Sequence, residues 1–433
     1  MSRTAARQCL APGTTVAPRE VLVATEIGDP ARGLLPCPAA PLVGGVLQRR
    51  GQAVRYGPVP HCAEASQADE GAALFVTSSL HRDGAGTAIG AAASGVDAIA
   101  VAAARAAVDE WSAVVGSRRL LAAVSPWCEG ARRAAELAAQ AVAGSPGPVY
   151  VLGELAGSPQ ARAELEAAGA VFTGNVADIP NGASLFIPAH GAAPSVLAQA
   201  ADRGLRIIDA TCPLVAGLQA EARRLAERGD QIVLIGQPGH AVVPGLTGQA
   251  PGQIELTGSS SPAGTGGLTG LDPRRVSYLL QPGIPVEEGA NVAAALRSRF
   301  PALRDPDPDA FCYAASDRAE TVRAVAAASD LVLVLGDPDD PDTRQLTTLA
   351  RGAESATSAR HGLPRGGGGK VQVISDPAGI MPSWLAGTAA VGLAESTSAR
   401  PGLASEVTRA LSGLGPLSVT TRRVTTEVAA AGA

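Results

Sequence analysis

A pattern of cysteine, helix, strand and glycine occurs three times along this chain of 433 residues. The three cysteines are Cys128, Cys212 and Cys312, and the strands that follow them end at Gly153, Gly236 and Gly336. Each glycine lies 25, 24 and 24 residues after its cysteine. A repeat of alternating strands and helices favours parallel sheets with helices outside. We therefore predict an α/β fold of three units around a pseudo-threefold axis, with one cysteine in each unit.

Composition excludes several other classes of protein. The chain has a net charge of −5 without a basic run, which argues against a nucleic-acid surface. No apolar stretch reaches the ~18 residues that a membrane span needs, and the first residues lack the apolar region of a signal peptide. We expect a cytoplasmic protein that binds neither nucleic acid nor membrane. Its six cysteines are too few for a disulfide scaffold and favour metal binding or catalysis.

Cysteine at a helix start is suited to act as a thiolate, because free N–H groups and the helix dipole stabilise the negative charge. Three thiolates without a fourth suit an iron–sulfur cluster with one open iron. A zinc site would show closely spaced cysteine pairs or an added histidine. The alternative is that a cysteine is simply a small buried residue, and we favour it for Cys9, Cys37 and Cys62, which lie outside the repeat.

Two histidines have a sequence context that indicates ligand binding. His190 and His240 each follow a predicted buried strand and have a glycine beside them. Since the carboxyl ends of parallel strands meet at one edge of a sheet, both should lie near the cysteines. His61, His81 and His361 have no such context.

The chain divides, on this reading, into three segments. Residues 1–118 form an N-terminal α/β block, residues 119–420 contain the repeat, and residues 421–433 form a tail. In the block, a strand from Val21 leads to a predicted turn at Gly28-Asp29-Pro30 and then to Cys37–Pro41. These features are weakly similar to nucleoside-phosphorylase domains, and we expect the block to have a structural or interaction role.

Several segments in order carry a more specific resemblance: PWCEGARRA, PVYVLGE, GASLFIPAHG, IDATCPLV, IVLIGQPGH, GLTGQAP and FCYAASDR. Over about residues 119–415 the chain resembles the 4-hydroxy-3-methylbut-2-enyl diphosphate reductase family of the LytB type. The resemblance implies three α/β units around an oxygen-sensitive [4Fe–4S] cluster held by Cys128, Cys212 and Cys312. The family removes an allylic hydroxyl at the open iron by adding two electrons and a proton. It makes isopentenyl and dimethylallyl diphosphate, with ferredoxin or flavodoxin as electron donor.

The resemblance also implies which residues bind the small-molecule substrate. His190, His240 and Ser398 match substrate-binding positions of the family. Other family positions are altered, and the residues that stand there are Gly153 for a histidine, Val242 for the proton-relaying glutamate, Pro282-Gly283 for a threonine pair, and Asp340, Asp342 and Thr343 within the phosphate-binding segment.

These replacements point to an altered substrate. Valine carries no proton, so the proton donor stays unassigned. Two unit charges at ~4 Å repel by about 4 kcal/mol at an effective dielectric constant near 20, so Asp340 and Asp342 would oppose a diphosphate. An alternative interpretation is a solvated acidic turn, which Pro338 and Pro341 favour.

We predict an iron–sulfur reductase of this type with an altered substrate. One alternative is the family's own diphosphate reductase. The other is a non-catalytic cluster protein, either an electron carrier or a sensor of redox state or iron.

Overall fold

In the part of the chain that the structure describes, the strands form four sheets, of which three contain parallel strands only and one is mixed. The structure is a computed structural model that describes residues 6–9, 16–29, 33–59, 72–80, 86–123, 127–155, 159–258, 268–307, 310–361 and 370–426. The predicted α/β class is confirmed. No helix within these ranges is long and apolar enough to cross a membrane.

The chain forms two compact units. The first comprises Met1–Val124 with Val322–Arg422, and the second comprises Ser125–Thr321 with Arg423–Ala433. The chain thus leaves the first unit for the second, returns to complete the first, and adds its last residues to the second.

The second unit contains two of the parallel sheets. One has the order β11–β10–β8–β9, with β8 at Val149–Leu152, β9 at Ala170–Thr173, β10 at Ser184–Ile187 and β11 at Arg206–Asp209. The other has the order β13–β12–β14, with β12 at Gln231–Gly236, β13 at Ile254–Gly258 and β14 at Val276–Leu280. The helices from this part of the chain are α3 (Glu129–Gly144), α4 (Pro159–Ala167), α5 (Pro194–Asp202), α6 (Pro213–Glu227), α7 (Val242–Thr247), α8 (Val286–Arg299) and α9 (Ala314–Ala327).

The first unit contains the mixed sheet and the third parallel sheet. The mixed sheet has β1 (Ala6–Cys9), β2 (Glu20–Asp29), β3 (Gly33–Pro36), β4 (Ala53–Val59), β5 (Ala72–Leu80) and β6 (Gly86–Ser94). The parallel sheet has the order β16–β15–β17–β7–β18, with β7 at Arg118–Ala123, β15 at Leu331–Leu335, β16 at Lys370–Ile374, β17 at Ala390–Glu395 and β18 at Leu417–Arg422. The helices are α1 (Ala40–Arg49), α2 (Ala98–Ala113), α10 (Pro341–His361), α11 (Pro382–Leu385) and α12 (Leu403–Ser412).

One hydrophobic core joins the two sheets of the first unit. It includes residues of β2, α1 and α2 together with residues of β15, β17 and α12. Trp111 of α2 is fully buried there, and its indole N–H donates to the carbonyl of Leu42 at 3.1 Å. The N-terminal block therefore shares its core with residues 322–422, while the predicted boundary at residue 118 stays a prediction.

The cysteine repeat corresponds to the links between sheets. The chain passes from β7 through Cys128 and α3 to β8, which belongs to another sheet. It passes likewise from β11 through Cys212 and α6 to β12, and from Cys312 through α9 to β15. The predicted helix and strand after each cysteine are confirmed, and each pair connects two sheets.

One local expectation differs from the structure. The predicted turn at Gly28-Asp29-Pro30 is wrong for its first two residues, because β2 continues through Asp29 and pairs with β3 there. In the tail, the Val424 N–H donates to Thr321 Oγ1 at 2.9 Å, so this part is hydrogen-bonded to α9. Pro30, His61, Cys62, His81 and residues 427–433 lie outside the described residues, as do the side chains of Cys9 and His361.

Candidate active site

The three cysteines of the repeat lie together in the second unit. Cys128 and Cys212 are the N-cap residues of α3 and α6, and Cys312 lies two residues before α9. A Cβ built on Gly130 would lie 2.6 Å from the Cys212 Sγ and 4.0 Å from the Cys128 Sγ. Gly130 thus leaves the space in which two of the sulfurs approach each other.

The third sulfur belongs to the same group. Burial raises the pKa of the Cys312 thiol, and the nearby Cys128 and Cys212 thiols raise it further. Backbone N–H groups of Ala314 and Gly283 donate to the Cys312 sulfur and oppose that rise. Among the described residues, no three His, Cys, Asp or Glu side chains are placed to hold a single metal ion.

Cys37 lies in a different setting, in the core of the N-terminal block. Burial, together with a smaller effect of the neighbouring Glu26, raises the pKa of its thiol to about 12. It belongs to an apolar cluster with residues such as Leu22 and Leu74. Such a thiol is an inert small core residue.

The two predicted histidines lie side by side. His190 follows β10 and His240 follows β12, and their ring centroids are 5.2 Å apart with the rings edge to face. The Cys212 N–H donates to the carbonyl of Ala189 at 3.0 Å, which places His190 close to the start of α6. The structure therefore brings the histidine pair next to one of the cysteines.

Both imidazoles are neutral at pH 7. Burial, together with a smaller effect of the neighbouring His240, lowers the pKa of His190 to about 4. Burial also lowers the pKa of His240. The Val242 N–H donates to Nδ1 of His240 at 3.2 Å, which leaves the proton of the neutral ring on Nε2. His240 thus presents an N–H donor rather than a positive charge.

Val242, which stands at an altered family position, is wholly buried. Its side chain belongs to an apolar cluster formed by Val215, Leu218, Ala222, Leu225, Ile232, Leu234, Leu246 and Leu279. Its backbone contacts His240, whereas its side chain is part of the core under α6 and α7. Hydrophobic packing explains the valine here.

Gly153, at another altered position, follows β8 with φ of +71°, a conformation that favours glycine. Its N–H donates to the carbonyl of Thr173 at 2.7 Å. No atom lies within 4 Å of a Cβ built on it, so the space beside it is open.

The first unit carries a cluster of three hydroxyls near the ends of β15 and β17, of which the sequence analysis named Thr343 and Ser398 but not Ser396. Thr343 Oγ1 donates to Ser396 Oγ at 2.8 Å and lies 3.1 Å from Ser398 Oγ. The two serine oxygens are 2.8 Å apart. A Cβ on Gly336 would lie 2.1 Å from Ser396 Oγ, so the cluster requires glycine at that position.

The two aspartates near this cluster accept backbone hydrogen bonds. Asp340 Oδ1 accepts from the Thr343 N–H at 3.0 Å, as an N-cap residue of α10 does. Asp342 Oδ2 accepts from the Thr397 N–H at 2.8 Å. These carboxylates therefore occupy N–H groups that an anion would otherwise bind.

A model of the LytB protein family matches residues 120–412. This chain belongs to the LytB family. The match covers the three cysteines of the repeat and the strands of the three parallel sheets, except β18 and the first two residues of β7, whereas the N-terminal block precedes it. The predicted family is confirmed, and membership supports an oxidoreductase activity.

Curated relatives match about 70% of the chain. The chain is 36% identical over 312 residues to 4-hydroxy-3-methylbut-2-enyl diphosphate reductase 1 of Mycobacterium tuberculosis, which is 71% of this chain and 90% of that protein. It is 37% identical over 303 residues to the reductase of that name from Leifsonia xyli, which is 70% of this chain and 86% of the relative.

Solved structures support the same fold. The reductase from Plasmodium falciparum matches with a TM-score of 0.58 and 20% identity over 71% of this chain and 93% of its own. A structure titled as the terminal enzyme of the non-mevalonate pathway matches with a TM-score of 0.53 and 23% identity, over 68% and 99% of the two chains.

Proposed function

We propose that this LytB-family chain is a [4Fe–4S]-dependent reductase that removes an allylic hydroxyl from a small substrate. The observation that carries the proposal is the gathering of Cys128, Cys212 and Cys312 at the starts of three helices. Each sulfur comes from a different link between sheets, so the site depends on the whole repeat.

The donor set fits such a cluster. Three thiols lie near one another, and Gly130 leaves room between two of them. Backbone N–H groups point at the sulfurs, since the Ala131 N–H donates to Cys128 Sγ at 3.4 Å. Hydrogen bonds of this kind stabilise thiolates and tune the reduction potential of a cluster. When bound, the cluster would supply electrons and one open iron as a Lewis acid.

The histidine pair would bind the substrate next to the thiols. Because both rings are neutral, they would donate hydrogen bonds to substrate oxygens rather than pair with charges. Ser398 is the third proposed binding residue, by resemblance to the family. We assign no residue as proton donor, because Val242 carries no acid and faces the core.

The substrate of this chain would be less anionic than the diphosphate in the relatives' names. Asp340 and Asp342 bind backbone N–H groups at and near the start of α10 with their own carboxylates. An incoming anion would meet two negative charges and fewer free N–H donors. Gly153 offers no side chain with which to bind a phosphate.

The reaction needs one-electron donors, since the cluster passes electrons singly. A ferredoxin or a flavodoxin fits this need. We place the enzyme in the cytoplasm, where thiols stay reduced.

Anaerobic purification and EPR spectroscopy test the proposal. The reduced wild-type protein should show a [4Fe–4S] signal, and a colourless protein with zinc or no metal would contradict the proposal. Addition of 4-hydroxy-3-methylbut-2-enyl diphosphate should leave this signal unchanged and give no turnover with a working ferredoxin system.

Other outcomes of the same experiment identify the alternatives. Turnover of the diphosphate would show that this chain has the activity of its relatives. A cluster that cycles between redox states, yet reduces none of a panel of neutral or singly charged allylic alcohols, would favour an electron carrier or sensor.

A further inference from the structure

We propose that Gln219 is a positioning residue for His190 and acts through one internal water molecule between its amide and the His190 Nδ1. Gln219 lies on α6, two helical turns after Cys212. Gln219 lies outside the sequence motifs described above.

Two buried polar atoms carry this inference. Nδ1 of His190 and Nε2 of Gln219 are both buried, and neither has a hydrogen-bond partner among the described residues. Buried polar groups in folded proteins nearly always have a partner, either protein or ordered water. Both unpartnered atoms therefore need a physical explanation.

The backbone around these atoms brings them into one place. A Cβ on Gly191, the residue after His190, would lie 2.7 Å from Gln219 Nε2. A Cβ on Gly245 of α7 would lie 3.2 Å from the same nitrogen and 3.4 Å from the His190 carbonyl oxygen. The amide of Gln219 thus lies against the loop that carries His190, where two glycines leave space for it.

The chemistry of the two atoms fits one water molecule. The amide of Gln219 is a donor, and Nδ1 of a neutral imidazole is an acceptor when the proton lies on Nε2. Water accepts from the first and donates to the second. Thr211 Oγ1 lies 3.4 Å from the Cβ position of Gly191, so a third polar partner is close by. Buried waters typically have two to four such partners.

The consequence is a fixed tautomer. With Nδ1 accepting from the water, the proton of His190 lies on Nε2 and points away from α6. His240 has the same tautomer, because its Nδ1 accepts from the Val242 N–H. Both rings would then present an Nε2–H donor. That these donors face a substrate rests on the proposed function, whereas the water and the tautomer do not.

Long-range ¹H–¹⁵N spectra of histidine-labelled protein, in its oxidised form, test the tautomer. The chain has five histidines, so His190→Asn identifies the signals of His190. We expect the Nε2–H tautomer in the wild type. Gln219→Met keeps the size of the side chain but removes the donor, and should shift the tautomer ratio about fivefold toward Nδ1–H. Gln199→Met, on the exposed surface of α5, is the matched control and should shift nothing.

Two independent measurements, the tautomer of His190 and the position of the water molecule, test the proposal. An Nδ1–H tautomer in the wild type, or an unchanged ratio in a folded Gln219→Met protein, would overturn the proposal. A high-resolution crystal structure should show a water peak between the two nitrogens, and a direct contact between them would contradict the bridging water. Neither measurement needs turnover, so a failure here is separate from a failure of the proposed function.

Discussion

Burial decides the chemistry of single residues in this chain. His190 and His240 lose their positive charge because their rings are removed from water beside each other. Cys37 is inert for the same reason, whereas Cys128 stays exposed at a helix start. The same residue type therefore has different roles according to its surroundings.

The cysteine assignments predict a clear difference between variants. Cys212→Ser should remove nearly all bound iron and the visible absorption of anaerobically purified protein, because serine oxygen is a poor ligand for a cluster. Cys37→Ala should retain both, with a stability loss of about 1 kcal/mol from the small cavity it leaves. Equal iron content in the two variants would remove Cys212 from the ligand set.

The pKa of His190 predicts a pH dependence of stability. Its folded-state value of about 4 lies below an unfolded value near 6.5. The contribution of the neutral His190 ring to stability is therefore fully present above pH 6.5 and is lost as the pH falls through about 4, by roughly 3 kcal/mol in total. Urea unfolding between pH 7.5 and 4 should show this loss in the wild type and a flatter profile in His190→Gln. Identical profiles would show that the ring is accessible to water.

Val242 provides a test of burial at an altered position. Val242→Glu places a carboxyl group in an apolar cluster and should destabilise the fold by about 3 kcal/mol at pH 7. Burial raises the folded-state pKa of such a group, so the loss should shrink as the pH falls towards 4. Val242→Thr, of nearly the same shape and without charge, should cost less and show no pH dependence. A stable Val242→Glu protein would mean that this side chain faces solvent.

Sequence reasoning found those residues whose signal is local. A cysteine at a helix start and a histidine beside glycine after a strand are visible in a short window, and the structure gathers both sets. The role of Gln219 was not predicted, because in the sequence a glutamine in the middle of a helix cannot be distinguished from an exposed polar residue. Only the approach of the backbone at Gly191 and Gly245 makes its amide notable.

At the scale of elements, the carboxylates of Asp340 and Asp342 at the start of α10 bind backbone N–H groups that could otherwise bind an external anion. Asp340 caps the helix, and Asp342 extends from its first turn to the N–H of Thr397. From the sequence, these carboxylates are expected to oppose an anionic ligand. The structure gives them backbone partners, since an aspartate at an N-cap position binds the nearest free N–H groups.

The cap predicts separate effects on stability and on anion binding. Asp340→Ala should destabilise the protein by about 1 kcal/mol in urea unfolding. Asp340→Ser keeps an N-cap side chain that accepts a hydrogen bond, and should destabilise it by only about a few tenths of a kcal/mol. Asp340→Ser combined with Asp342→Asn removes two charges and should raise diphosphate affinity at least about tenfold in calorimetry. Unchanged affinity in the double variant would show that other groups exclude the anion.

Elements were predictable where their pattern is regular. The buried strands β12 and β15 are continuous apolar runs in the sequence, and the helix after Cys128 is amphipathic. The partition into sheets was hidden, because the strand before a cysteine and the strand after it pair with different neighbours. Such pairing depends on contacts far apart along the chain.

At the scale of the whole molecule, the N-terminal block is part of the folded core of the first unit. Arg49 of α1 donates to the carbonyls of Ala378 and Ile380. A Cβ on Gly45 would lie 2.0 Å from the Ala378 oxygen, so α1 and the loop after β16 are in close contact. Composition and periodicity show two α/β segments, but they do not show that one core includes both.

This contact predicts that a small substitution has a large effect. Gly45→Ala should lower the free energy of unfolding by about 2 kcal/mol or more, because the methyl group meets a backbone oxygen that cannot yield cheaply. Gly352→Ala, in α10 with nothing within 4 Å, should instead be neutral or stabilising by up to about 1 kcal/mol. Equal urea midpoints for the two variants would contradict the shared core.

Because the chain returns to its first unit, the two segments of that unit are synthesised at different times. Residues 1–124 leave the ribosome without the segment 322–422 that completes their core. At roughly 5–20 residues per second, the intervening stretch takes on the order of 10–40 s to make. The apolar faces of α1 and α2 lack their later partners during that interval, in which residues 125–321 with all three repeat cysteines are made. Apolar surface exposed on a nascent chain favours aggregation, so the N-terminal block is most prone to aggregate before residues 322–422 are made.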